Sequence, residues 1–492
     1  MTDRLSSATL ARVPASIETP RYDRTSLKPG IVHLGLGAFH RGHQAEYTDT
    51  VLNQSGGDWG IIGVSLRSPA VRDQLAPQNG LYTVVVRDND ERRLRVVGSV
   101  TQVMVAPDDP AAVVAAMADP GIKIVSITVT ERGYCHDTTT GNLNLGNRDI
   151  QSDLASPEAP KTIVGLIVAA LRARRAAGHK SFTALSCDNL PDNGEVLKRV
   201  ITQYAAQLDP ALADWIGEHT AFPSTMVDRI VPATTDADRD ELTQRLGLRD
   251  EGAIFTEPFS QWVIEDDFVD GRPAWENAGA QLVESAEAFE KIKLRLLNGA
   301  HSLMAYSGYL AGYEFVHDVM ADPAFETMVT QFHAKDAGET VNAPGDFDIE
   351  AYKAQLRARF HNTALRHRTF QIASDGSLKL PQRLLYPLRE QLERGGAIDI
   401  ICLAVAAWIR FATGEDEAGQ VIDINDPLAD TLKTTLAPHK GDPAAMVKAA
   451  LALDAVFDTD LQHQPPFVDG VTRWLTAFDK DGVRTTVQHH FG

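Results

Sequence analysis

Short apolar runs alternate with helical stretches along the first half of the chain. Residues 31–34 (IVHL), 61–66 (IIGVSL), 82–87 (YTVVVR), 95–97, 122–129 (IKIVSITV) and 182–186 (FTALS) read as strands. Between them, 110–118, 162–177 and 195–207 carry helical periodicity. This alternation predicts an α/β domain with a largely parallel sheet. Near Ser285 the pattern changes. Residues 287–312 read as one long helix, followed by helices over 348–360, 383–394 and 398–413, and strand signals nearly vanish. The expectation is two domains: 1–285, α/β, and 286–492, all-α. The active site is expected in the cleft between them.

The first strand runs into Gly35-Leu36-Gly37-Ala38-Phe39-His40-Arg41. One glycine suits a tight turn. The second lets backbone approach a pyrophosphate at a helix N-terminus. His40 stands where a third glycine is usual, so a plain strand-to-helix turn is the competing reading. Its place after the first strand favours a Rossmann-like dinucleotide site, with Gly35, Gly37, Phe39, His40 and Arg41 at the coenzyme. The second strand ends Ser65-Leu66-Arg67-Ser68, without the acid that grips an NAD ribose. Arg67 is either a contact to NADP or a surface charge, so NAD is the expected coenzyme with NADP open. Thr130 and Glu131 follow one predicted strand, and Asn189 follows another, where open α/β sheets bind ligands.

The segment 290–301 holds Glu290, Lys293, Asn298 and His301. On an ideal α-helix with Lys293 at zero, Glu290 falls at about 60°, His301 at about 80° and Asn298 at about 140°. Leu294 and Leu297 share that side, so the polar face is expected to be partly buried. Oxidising a secondary alcohol requires removal of its hydroxyl proton. A lysine desolvated among apolar side chains can do this, and amides can hold the developing alkoxide. The competing reading is an ordinary solvated polar face.

The whole chain has 492 residues and a net charge of -19, a balance that repels nucleic acids and anionic lipid. Its three cysteines, Cys135, Cys187 and Cys402, form no CxxC pair, so neither a disulfide framework nor a zinc site is expected. The N-terminus lacks the apolar core of a signal peptide, and the longest apolar run, 400–409, is too short for a membrane span. A cytoplasmic enzyme is expected.

GLGAFHRGHQAEYTD, TVTERGYC, SCDNLPDNG, TMVDRIVP, QWVIEDDFVDGRPAWE, KLRLLNGAHS and DGSLKLPQR together resemble the polyol-specific long-chain dehydrogenases. That group holds mannitol 2-dehydrogenase and fructuronate reductase. The Lys-x4-Asn-x2-His spacing is the family's catalytic signature. The resemblance implies Lys293 as general base in oxidation and acid in reduction. It implies Asn189 and Asn298 at the reacting oxygen, His301 orienting substrate, and Glu290 on a proton path. Asp228 and Lys379 would line the site. No metal is implied, and a monomer or small homo-oligomer acting on a small sugar acid or polyol is. Mannitol 2-dehydrogenases tend to carry arginine where this chain has Gln371. The run Arg366-His367-Arg368-Thr369-Phe370-Gln371-Ile372-Ala373 is similar to fructuronate reductases, which need a cation for the substrate carboxylate. Arg366, Arg368, Lys379 and Arg383 are the candidates. The implied reaction is D-fructuronate to D-mannonate, with D-mannitol to D-fructose as the alternative. A non-catalytic dinucleotide sensor is the rival of another class, though a sensor has no use for a general base.

Overall fold

The computed structural model describes residues 2–137, 140–345 and 347–492. The chain divides into two compact units, Met1–Glu287 and Ala288–Gly492.

The described residues of the first unit form β1 (Pro29–Leu34), β2 (Gly60–Ser65), β3 (Tyr82–Asp88), β4 (Glu91–Val97), β5 (Val100–Val105), β6 (Ile124–Ile127), β7 (Thr183–Ser186), β8 (Thr225–Asp228), β9 (Ile254–Thr256), β10 (Gln261–Glu265) and β11 (Gln281–Val283). A five-stranded parallel sheet has the order β5-β2-β1-β6-β7. Its central strands are buried on both faces, which is why they read as continuous apolar runs rather than alternating ones. Ile31, Ile61, Ile124 and Leu185 join a core with Tyr47, Val51, Trp262 and Trp275. The alternate residues Val32, Val64, Val125 and Ala184 pack instead with Val113, Met117, Leu166 and Leu197. The strand order reverses between β1 and β6, which opens a crevice at the carboxyl ends of the strands.

Helix Ile163–Ala177 starts where expected, because the Thr162 hydroxyl accepts from the Gly165 N–H at 3.0 Å. Two runs read as strands do not enter the parallel sheet. β3 and β4 form an antiparallel hairpin that pairs with β9, and β8, β10 and β11 make a further small sheet. Helix Gln44–Ser55, which the sequence pattern did not mark, packs its Tyr47 and Val51 onto the sheet.

The described residues of the second unit contain helices and isolated bridges but no strand. Ile400–Ile409, the long apolar run, is the buried body of helix Asp399–Ala412, which packs against Gly299–Leu310 and Pro465–Asp481. Its N-terminus is capped from elsewhere: Asp336 Oδ1 accepts from Ile400 N and Ile401 N at 2.7 and 3.0 Å. Burial drives the Asp336 carboxyl up to about 6.

The single helix expected over 287–312 is instead three segments. An α-helix, Glu287–Ile292, passes into a π-helical turn, Lys293–Asn298, and then into α-helix Gly299–Leu310. Two more π turns occur, at Phe332–Asp336 and Pro381–Leu385, the latter replacing the α-helical start expected at Arg383. The three turns converge on Gly299. A Cβ there would lie 2.9 Å from Phe332 Cζ and 3.1 Å from the Arg383 carbonyl oxygen. Side chains serve the carbonyls of the wide turn: His333 Nε2 donates to Leu296 O at 2.9 Å, and Arg383 Nη1 to Asn298 O at 3.5 Å.

Candidate functional site

In the first unit the glycine turn closes over a cleft of about 550 Å³. Gly35 has φ +96°, and a Cβ would lie 2.0 Å from the Thr128 carbonyl oxygen, so only glycine fits. Gly37 differs. A Cβ there would meet nothing closer than the Gly35 carbonyl oxygen at 3.7 Å, which leaves its backbone open to an approaching group. Below the turn, His33 Nδ1 lies 2.8 Å from Ser126 Oγ, and its Nε2 lies 2.8 Å from Thr128 Oγ1. Thr128 Oγ1 in turn donates to Gly35 O at 2.8 Å. This buried network fixes the turn from beneath.

Arg67, Ser65, Ser68 and Thr130 line the same cleft. The buried Ser65 hydroxyl has no hydrogen-bond partner, which fits a ribose or phosphate oxygen. Arg132, Asp149 and Lys161 line it too and went unmarked in the sequence. Arg132 adjoins the marked Thr130 and Glu131 within TVTERGYC, whereas Asp149 and Lys161 lie in segments without a recognisable pattern, so nothing local announces those two.

Three residues expected at the coenzyme do not line this cleft. His40 is buried and stacks on His33 at 3.4 Å between ring centroids. Arg41 is buried too and donates to Gly37 O and, at 2.6 Å, to Gly252 O, bracing the turn rather than facing the cleft. Phe39 stacks on His43. The cause is the shortness of the helix after the glycines. It spans only Ala38–Arg41 before Gly42 and His43 interrupt it, so its side chains turn inward.

At the carboxyl end of β7, Asp188 accepts from Val129 N, Thr130 N and the Tyr134 hydroxyl at 2.8 to 3.0 Å. It ties the loop after β6 to the end of β7, and burial raises its carboxyl against those hydrogen bonds. The sequence analysis did not single out Asp188, which stands two residues past the end of β7 beside the marked Asn189. Asn189, the next residue, is exposed, Glu131 starts a short 3-10 turn, and Asp228 is buried at the end of β8.

In the second unit Lys293, Asn298 and His301 are all buried, and Glu290 is half-buried. The π turn corrects their expected directions. Its hydrogen bonds run i to i+5, which widens the turn, so Lys293 and Asn298, five residues apart, lie nearer in direction than the about 140° of an ideal α-helix. The turn is braced on Glu390, which takes both Arg295 terminal nitrogens and, at 3.1 Å, Lys291 Nζ. Arg295, with help from Lys291, pulls the Glu390 carboxyl down to about 2. Asn298 Oδ1 and His301 Nε2 are buried without hydrogen-bond partners. Such atoms are rare unless a ligand satisfies them.

The surroundings of His301 are cationic. His367 lies edge-on at 5.2 Å between centroids, and Phe360 packs at 5.1 Å. Burial first, then His367, Arg383, Arg359 and Lys293, hold His301 far below the usual histidine range, so it is neutral. His367 is itself pushed down to about 4 by burial and by Arg359 and Lys379.

The cations that the sequence offered for a carboxylate lie in different settings. Arg368 is 62% exposed and pairs with Glu314 at 2.9 Å on the surface. Arg366 is exposed over the Phe315 ring, and Gln371 is exposed on the short helix Thr369–Ile372. Lys379 Nζ donates to the carbonyls of Ser374 and Ile372. Arg383, by contrast, is buried and donates to Ser302 Oγ at 3.3 Å, beside His301. His367 and Arg359, which no local pattern distinguished from a solvated basic run, join it.

Buried neutral histidines make stability depend on pH. Burial pushes His33 down to about 3, whereas in the unfolded chain it titrates near 6.5. The proton therefore favours the unfolded state below 6.5. The contribution is fully present above pH 6.5 and is lost as the pH falls towards 3. Unfolding free energy measured between pH 6.5 and 5 should be shallower in His33→Asn than in the parent, by about 1.4 kcal/mol per pH unit. Parallel slopes would mean that His33 takes up its proton within the fold.

A parallel doubly wound sheet, a glycine turn at its switch point and a separate helical unit with a buried lysine define a dinucleotide-dependent oxidoreductase architecture. Residues 29–277 match the family model described as the mannitol dehydrogenase Rossmann domain, and 285–479 match the mannitol dehydrogenase C-terminal domain. The chain belongs to the mannitol dehydrogenase family. It is 44% identical over 475 residues to the D-mannonate oxidoreductase of Escherichia coli K12, covering 96% of this chain and 97% of that one. It is 46% identical over 461 residues to the uncharacterized oxidoreductase YeiQ of the same organism, covering 93% and 94%. The ternary complex of Pseudomonas fluorescens mannitol 2-dehydrogenase with NAD and D-mannitol superposes with a TM-score of 0.90 at 38% identity, covering 99% of both chains. Among the described residues no helix is long and apolar enough to cross a membrane.

Proposed function

We propose that the protein is an NAD-dependent dehydrogenase that reduces the ketone of an open-chain sugar acid, D-fructuronate, to D-mannonate, and runs the reverse. The observation that carries the reading is the buried cluster of Lys293, Asn298 and His301, with two partnerless polar atoms in cationic surroundings. A neutral polyol has no need of that charge, whereas a carboxylate does. The likeness to D-mannonate oxidoreductase supports the acid, and the likeness to mannitol 2-dehydrogenase supports the chemistry.

The coenzyme supplies the hydride. Gly37, Ser65, Arg67 and Thr130 are the residues that would hold it, since they line the cleft under the glycine turn. As the carbonyl carbon gains its C–H bond, the Lys293 ammonium gives a proton to the oxygen and becomes the free amine. In oxidation the amine takes the hydroxyl proton back. Asn298 and Asn189 hold the oxygen as charge develops, and Asp228 lines the substrate. Neutral His301 hydrogen-bonds a neighbouring hydroxyl through Nε2. Glu290 relays the lysine proton to water. A sensor would leave a buried lysine without use, so we set that reading aside. Three isolated cysteines suit the reducing cytoplasm, where we place the enzyme as a monomer or small homo-oligomer.

The test is coenzyme oxidation at equal concentrations of D-fructuronate and D-fructose, each with NADH and with NADPH. The expected result is a kcat/KM at least about 100-fold higher for fructuronate, as expected when a buried cation finds or lacks its charged partner. A preference for fructose would make the enzyme a polyol dehydrogenase and overturn the substrate assignment.

A further inference from the structure

We propose that the coenzyme cleft takes NADPH as well as NADH, with Arg67 as the residue that holds the 2′-phosphate of the adenosine ribose. This goes beyond the reaction proposed above and does not depend on which sugar is reduced.

In a doubly wound sheet the adenosine ribose lies at the carboxyl end of the second strand. A carboxylate there accepts from the ribose 2′-hydroxyl of NAD and repels the phosphate that NADP carries on that oxygen. Here β2 ends at Ser65, and Leu66, Arg67, Ser68 and Pro69 lead into helix Ala70–Leu75. None of these four residues is acidic. Ser65, Leu66, Arg67, Ser68 and Val71 all line the cleft.

The acids of the neighbouring segments are engaged away from it. Asp73, on the helix after β2, lies 2.8 Å from Arg72, which also holds Asp108 at 2.7 Å. Asp108 and Asp109 follow β5, the strand paired with β2, and Asp109 caps helix Pro110–Ala118 through Ala112 N at 2.9 Å. None of the three lines the cleft. Among the described residues that do, Asp149 is the one acid, against the cations Arg67, Arg132 and Lys161. Arg132 and Asp149 belong to segments after β6, on the other side of β1 from β2. Arg67 is therefore the cation set at the end of β2. A guanidinium binds phosphate through paired N–H donors. The buried Ser65 hydroxyl, which has no partner, and the Ser68 hydroxyl stand beside it in sequence. Such hydroxyls serve a ribose hydroxyl and a phosphate oxygen alike, which keeps NADH as a coenzyme.

The experiment is a fluorescence titration of the whole protein with NADH and with NADPH, without sugar, repeated on Arg67→Ala, Arg67→Lys and Arg67→Glu. The parent is expected to bind the two coenzymes with Kd values within about tenfold of each other. Arg67→Ala should weaken NADPH by about 10- to 100-fold, the range for a lost hydrogen bond to a charged group, and change NADH by less than about threefold. Arg67→Lys should keep part of the NADPH affinity, and Arg67→Glu should lose more of it while holding NADH. Arg67 is exposed, so these substitutions leave the core intact, and NADH affinity reports the fold of each variant. A parent that binds NADPH more than about tenfold more weakly than NADH overturns the proposal. So does equal weakening of both coenzymes in Arg67→Ala, which would assign Arg67 to a group they share. No change in either would make Arg67 a surface charge and overturns it too. With no sugar present, none of these outcomes bears on the fructuronate reading, which the kinetics on D-fructuronate and D-fructose decide separately.

Discussion

Replacing Lys293 with alanine is expected to cut kcat by about 10²- to 10⁴-fold, the range that one positioned acid–base group contributes. Coenzyme affinity should hold, because the glycine-turn cleft lies wholly in the first unit and Lys293 in the second. Loss of the amine removes the group that exchanges a proton with the substrate oxygen. It also opens a space about the size of the side chain among buried neighbours. A small primary amine added to the buffer should therefore recover part of the rate, whereas a variant damaged in its fold would not respond. The measurement is single-turnover coenzyme oxidation with and without methylamine, beside a coenzyme titration. Undiminished turnover in Lys293→Ala would remove the lysine from the mechanism and reopen the case for another base.

The second large effect is expected at the glycine turn, where two glycines separated by one residue should behave oppositely. Gly35→Ala places a methyl group 2.0 Å from the Thr128 carbonyl oxygen, on a backbone with φ +96°. Strain and overlap together should cost about 2–4 kcal/mol and displace the loop that Asp188 clamps. Both Tm and coenzyme binding should fall. Gly37→Ala adds a methyl group in open contact, 3.7 Å from its nearest neighbour. Its Tm should stay near that of the parent while the KM for coenzyme rises, since the methyl group occupies the approach to the cleft. Thermal melts and coenzyme titrations on the two variants check this. Equal Tm values for the two would show that the turn relaxes around a Cβ at 35, against the geometry.

Much of this architecture was legible in the sequence for a physical reason. β1, β2, β6 and β7 are buried on both faces, so each reads as a short, mostly non-charged run whose length and flanking residues favour a strand. β5 was missed because its burial is uneven, and β9 and β11 have only three residues each. The membership of β3 and β4 in a separate sheet depends on pairing with β9, about 170 residues further on, and local pattern carries no such information. The polar set on 290–301 was visible as composition, and burial of Lys293, Asn298 and His301 follows from the leucines interleaved with them. Their directions were not visible. An assumed advance of about 100° per residue fails as soon as the backbone takes one π turn. Arg368 misled for a different reason. A run of basic residues looks alike whether it faces a pocket or solvent, and here Glu314 holds it outside.

The π turn at Lys293–Asn298 makes the spacing of this motif a property of the backbone it winds on. A straight α-helix given the same letters would aim the lysine and the asparagine to different sides, and the proton donor would face away from the amide. Anyone transplanting the motif into a new scaffold would have to carry the widened turn with it. That includes the packing at Gly299 and the side chains that satisfy its carbonyls. By the same logic, loss of a single residue between Leu294 and Leu297 would undo the arrangement while leaving every functional side chain in the chain.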